Sequence, residues 1–160
     1  MINPELLAIH FGRSAKLLLT NLEGVTHEQS LWRPTNANSI NWLVGHIVAS
    51  RSGFTHAIGY TPVWDEATRQ RYGFGSAPID REGDGVLPLE RLIADFTNAQ
   101  DILDAGLRAQ TFETLSGPSP SPRFQTRAEY LLYKQFHETH HIGQVLALRE
   151  QLGLPSSWPF

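Results

Sequence analysis

Four stretches of this chain place their apolar residues at the helical interval, and none alternates apolar with polar residues as a half-buried strand would. Each carries an apolar stripe that must be buried against another element, so the pattern points to an all-α four-helix bundle. The first runs from about Pro4 to Leu22, with Asn3 as N-cap and Pro4 in the first helical position. Leu7, His10, Phe11, Ser14, Leu18 and Leu22 lie along its stripe. The second starts after Ser39, a good N-cap, carries Leu43, His46, Ile47, Ser50 and Phe54, and ends near Ile58, before Gly59. The third runs from about Pro88 to Ala109 through Leu89, Leu92, Ile93, Phe96, Leu103 and Leu107. The fourth runs from about Gln125 to Leu152, with Gly153 and Pro155 as stop signals. Tyr130, Tyr133, His137, His141, Gln144 and Leu148 share one of its faces, while Leu132, Phe136, Ile142 and Leu146 lie largely on others. A helix apolar beyond one stripe is usually buried on more than one side. This one is therefore expected at the centre of the fold or in a homodimer interface.

The connectors differ in character. Glu23 to Asn38 contains Gly24 and Pro34, and the run SGPSPSP, Ser116 to Pro122, cannot continue a helix. Gly59 to Leu87 is longer than a compact domain normally needs between neighbouring helices. It is rich in glycine and proline from Gly73 onward, holds Tyr60, Trp64, Tyr72 and Phe74, and includes WDEATRQRY, which suits a short helix. Two readings stand beside each other: a lid or pocket wall over a site, or aromatics that simply cover one end of the bundle.

At 160 residues, with 41% hydrophobic and 18% charged residues, the chain suits a single domain over 1–160. A formal net charge of −3 gives no electrostatic case for nucleic-acid or membrane binding. No apolar run approaches the ~18–20 residues of a membrane span. The opening MINPELLAIHFGRSAK lacks the basic and apolar regions of a secretory leader, so a cytoplasmic location is the default expectation. There is no cysteine, which removes disulfides, thiolate ligands and a cysteine nucleophile. The common ligands that remain are His, Asp and Glu. Any thiol chemistry must use a thiol carried by a substrate.

The fourth segment contains FHETHHIGQ, Phe136 to Gln144. On a helix, His137 and His141 stand about 40° apart around the axis and one turn along it, so both imidazoles can reach one ion. His140 lies about 60° to the other side of His137 and is an alternative ligand or an outer-sphere residue. The same residues spell H-E-x-x-H, a zinc-protease signature. Common proteases of that kind take a third ligand from downstream. Here no histidine follows His141, and the sole acid, Glu150, is about 13 Å further along the same helix. Position 144 is Gln rather than the glycine of the extended motif. The third ligand is therefore expected upstream. His46, on the apolar stripe of the second helix, is the best candidate, with His10 weaker on the same grounds. His27 and His56 read as loop or helix-end surface residues.

Two stretches carry a resemblance to a known family. SLWRPTNANSINWLVGHI, Ser30 to Ile47, resembles the segment entering the second helix of the DinB/YfiT-like proteins. YKQFHETHHIGQVLALRE, Tyr133 to Glu150, resembles their fourth helix with its His-x-x-x-His-x-Gly-Gln signature. The resemblance implies a four-helix bundle of DinB-like connectivity, a divalent ion, zinc or nickel, on His46, His137 and His141, and frequent homodimers. Members with an established reaction include thiol-dependent S-transferases and a mycothiol-dependent maleylpyruvate isomerase. It thus implies a small-molecule substrate, with a low-molecular-weight thiol as co-substrate. His140 falls outside the family's minimal ligand set.

Three functions follow as alternatives: a metal-dependent enzyme (S-transferase or hydrolase), a non-catalytic metal-binding or stress-response bundle, and a plain bundle with structural histidines. Glu138 has the residue type of a general base, but its position about 100° around the helix from His137 favours a solvated acid. Tyr133 and Gln144 flank the histidine pair, where they either orient a ligand or substrate or pack as core. Arg33 and Arg51 either hold an anionic substrate or are solvated.

Overall fold

The structure, a computed structural model, describes residues 2–160. Four long helices build the bundle: α1 (Pro4–Leu22), α3 (Ile40–Phe54), α5 (Leu89–Arg108) and α7 (Arg127–Gln151). Three short ones lie between them: α2 (His27–Leu31), α4 (Glu66–Arg71) and α6 (Phe112–Ser116). A 3-10 turn, Thr55–Ile58, extends α3 as far as Gly59, whose φ of 83° closes it in the left-handed region. The caps follow the sequence. Asn3, Thr26, Ser39, Asp65, Thr111 and Thr126 each accept a hydrogen bond from the first turn of the helix that follows. Among the described residues no strand forms, only an isolated bridge between Pro118 and Thr126. Nor is any described helix long and apolar enough to cross a membrane.

The long helices do not pack in chain order. α1 packs against α5 and α7, and α3 packs against the same two, so the order around the bundle is α1, α5, α3, α7. Passing from α1 to α3, and from α5 to α7, means crossing the bundle diagonally. Those two connectors are bridged by α2 and α6. By contrast α3 and α5 are neighbours, yet the segment between them is the longest. Its surplus length is spent on α4 and on a wall beside α3, described below.

α3 is the helix buried all round: every residue from Ile40 to Phe54 is buried except Ser50 and Gly53. This corrects the expectation of a central fourth helix. α7 buries Ala128, Leu131, Ile142, Val145 and Leu148 but leaves Leu132 and Phe136 exposed, Phe136 at 69%. Gly45 shows how closely α3 is approached. A Cβ there would lie 2.0 Å from the ring of Tyr72, so that ring sits directly on the α3 backbone, one residue from His46.

Candidate metal centre

His46 is held by its own helix and by the long connector. Its ring stacks on Trp42, one turn earlier, with centroids 4.6 Å apart and planes 8° from parallel. Its Nδ1 lies 2.8 Å from the Tyr72 carbonyl oxygen. A carbonyl only accepts, so Nδ1 carries the proton and Nε2 is left with a bare lone pair. His141 is set in the same way: its Nδ1 donates to Gln144 Oε1, at 2.8 Å, one turn further along α7. The Nε2 atoms of His141 and His137 then face each other at 3.1 Å. The three rings lie 4.5–5.3 Å apart, centroid to centroid. One nitrogen from each falls within 4.8 Å of the others.

Burial keeps all three rings uncharged at neutral pH. His46 is lowered to about 4, chiefly by desolvation, with the Tyr72 hydrogen bond opposing and the nearby His141 and Lys134 adding to it. Desolvation also brings His137 to about 4, helped by the charges of His141, His46, Lys134 and His140. His141 is lowered for the same first reason, with the Gln144 hydrogen bond opposing. Neutral imidazoles are the form that binds metals. Two nitrogens on one ion at ~2.0–2.1 Å in tetrahedral geometry stand roughly 3.3 Å apart, close to the His137–His141 separation. Outer hydrogen bonds orient two of the three rings, as metal-site histidines require. The donor set is thus compatible with a divalent metal ion.

Glu138 and Arg51 are not where the sequence suggested. Glu138 is buried at 3% exposure and Arg51 at 0%, so neither is a solvated surface charge. Arg51 Nε and Nη2 each donate to one Glu138 oxygen at 2.8 Å. The Arg51 guanidinium also sits 4.0 Å from the centroid of Phe96 on α5. The pair therefore joins α3, α5 and α7 at the level of the histidines. Its carboxylate is occupied by Arg51 rather than turned toward a substrate, and Arg51 is likewise engaged rather than open to an anion.

The remaining candidates separate cleanly. His10 and His56 are exposed, and His10 is away from the cluster despite its place on the α1 stripe. His140 is exposed too, its ring 5.2 Å from that of His141, and contributes no nitrogen to the group. His27 pairs with Glu82 at 2.5 Å and accepts the Leu89 amide. Arg33 donates to Asp80 and to the Ala37 carbonyl. Tyr133 lies face to face with His137, centroids 6.1 Å apart.

A cavity of about 720 Å³ opens on His46 and His137. The long connector walls one side of it through Glu66, Arg69, Gln70, Gly73 and Phe74, and α7 supplies Tyr133 and Lys134. A second cavity, of about 700 Å³, lies beyond Gln144 and includes Arg33, Leu43 and Gln151. Sequence reasoning did not single out the Tyr72 carbonyl, Arg69, Arg123 or Lys134. Gly45 beside His46 was the one local signal of a close approach.

A sequence profile of the DinB superfamily matches residues 10–145, a span that contains all three histidines. No curated protein matches the chain. With most of its length matched, the chain belongs to the DinB superfamily.

Proposed function

For this DinB superfamily member we propose that His46, His137 and His141 together bind one divalent metal ion, zinc or nickel, and that the protein is a metal-dependent enzyme acting on a small molecule. The observation that carries the reading is the convergence of three neutral imidazole nitrogens beside a cavity large enough for a substrate. Held by His46, His137 and His141, all neutral ligands, such an ion would keep its full charge and would supply Lewis acidity to a thiol or a water. The protein's own share is positioning. Tyr72 and Gln144 fix the tautomers of His46 and His141. Tyr133 covers one face of His137, and the connector from Glu66 to Phe74 forms one wall of the cavity. A chain without cysteine is compatible with a low-molecular-weight thiol as second substrate, and an S-transferase and a hydrolase stand as the two reactions to test. The presence of a cavity at the histidines favours an enzyme over a non-catalytic metal-binding or stress-response bundle. We also propose a homodimer, with exposed Leu132 and Phe136 of α7 as its natural contact.

Elemental analysis of tag-free protein tests the metal. One equivalent is expected, falling to background in His137→Ala and in His46→Ala. A screen of small thiols against electrophiles then tests the reaction, and turnover that survives complete chelation would remove the enzyme reading.

A further inference from the structure

The cavity beside the histidines is lined by three cationic side chains drawn from three separate elements: Arg69 of α4, Arg123 of the segment before α7, and Lys134 of α7. Against them stands a single carboxylate, Glu66, which pairs with Arg69 Nη1 at 3.0 Å. Among the described residues no acid lies within ion-pair distance of Lys134 or Arg123. Arg69 keeps a buried Nε with no acceptor. Lys134 is half-buried, its ammonium over the rings of Tyr130 and Phe54 at 5.5 and 6.0 Å, and Arg123 lies over Tyr133 at 5.8 Å. Three cations that repel one another in one cleft, offset by a single carboxylate, leave a positive field that favours an anionic ligand, most of all at the half-buried Lys134 and Arg69.

We propose that this cavity is an anion subsite: Arg69, Arg123 and Lys134 take the carboxylates of a small dianionic substrate and leave its reacting end toward His46 and His137. The proposal rests on the reading of the histidines as the reaction centre, and it narrows the substrate class to polyanions. Guanidinium forks match planar carboxylates, and a lysine adds a point charge, so two carboxylates are accommodated by three cations. A dication on the three histidines would add to the same positive field and strengthen the preference. Burial and the charge of Arg123 hold Lys134 below the usual lysine range, as expected of a cation whose counter-ion comes with the ligand.

Succinate is the probe, with uncharged succinamide as control, titrated into both metal-free and zinc-loaded protein and followed by NMR signals of the arginine and lysine side chains. Saturable shifts at Arg69, Arg123 and Lys134 are expected with succinate alone. Arg123→Gln, on an exposed segment where it does not threaten folding, and Lys134→Gln should each weaken succinate roughly tenfold. Arg33→Gln, at the other cavity, should leave it unchanged. No saturable shift at millimolar succinate, equal response to succinamide, or cavity variants that bind succinate as tightly as the unaltered protein would each overturn the subsite. Zinc content is read on the same samples. Stoichiometric zinc with variant-insensitive succinate removes the subsite alone, whereas variant-sensitive succinate in protein that never retains zinc removes the metal centre and leaves the subsite standing.

Discussion

The Arg51–Glu138 pair decides more of the local structure than its two residues suggest. Both charges are withdrawn from water, and Arg51 Nη1 has no acceptor of its own. Such a pair contributes little net stability but is costly to break, because the surviving partner stays buried and uncompensated. Arg51→Met alone should therefore destabilise the metal-free protein by about 3–5 kcal/mol in urea unfolding. Arg51→Met with Glu138→Leu should recover most of that loss. If the double variant were as unstable as the single, the loss would not come from an uncompensated Glu138 charge, and the pair itself would be what holds α3 to α7. Two glycines offer a second contrast. Gly45→Ala forces a Cβ into the Tyr72 ring, displacing the segment whose carbonyl orients His46. A metal affinity lower by about 10–100-fold is expected, the usual effect of losing an outer-sphere partner. Gly143→Ala meets nothing within 4 Å and lies inside α7, so it should stabilise by about 0.5–1 kcal/mol. Thermal unfolding of both variants, with zinc titrations, checks the pair of outcomes. At this scale the His137–His141 pair was legible, because helix geometry alone brings residues four apart together. The burial of Glu138 was not, since its partner stands 87 residues away and only the packing of α3 on α7 joins them.

Among the elements, the connector between α3 and α5 is the one whose role needed the structure. Composition marked it as long and turn-rich, and its WDEATRQRY stretch does hold α4. What composition did not reveal is how it is fastened. The Tyr72 hydroxyl donates to Asn41 Oδ1 at 3.2 Å and accepts the Leu87 amide at 2.8 Å, while Asn41 Nδ2 donates to the Leu87 carbonyl at 2.9 Å. Trp42 Nε1 donates to Ser76 and Trp64 Nε1 to Asp95, at 2.9 and 2.7 Å. These bonds pin the segment to α3 and α5 and make it a fixed wall of the cavity. Tyr72→Phe keeps the ring over Gly45 but leaves Asn41 and the Leu87 amide short of a partner, at a cost of about 1–3 kcal/mol. Faster amide exchange confined to residues 72–88 is expected. Uniform acceleration across the bundle would instead mean that the hydroxyl stabilises the whole fold and not the wall.

Over the whole molecule, caps and stripes located the four long helices to within a few residues, but their order around the bundle came from contacts no single segment encodes. The diagonal steps from α1 to α3 and from α5 to α7 place α3 beside α7, and that adjacency is what assembles His46 with His137 and His141. The same assembly sets a pH dependence. All three rings are held neutral in the fold, His46 and His137 at about 4 and His141 also lowered, whereas in the unfolded chain each titrates near 6.5. Between those values the unfolded chain carries more protons than the native one, so stability rises with pH through the window. The contribution is fully present above pH 6.5 and is lost as pH falls toward 4. Asp65 and Asp80, whose carboxyls are lowered from 3.8, act below that window. Urea unfolding of metal-free protein should show stability declining from pH 7 to pH 4.5. A variant with His46, His137 and His141 all replaced by Asn should show a flatter profile over the same range. Loaded protein should release zinc in that range too, since protons and metal compete for the same nitrogens. A profile equally steep in the triple variant would locate the titrating groups outside the centre.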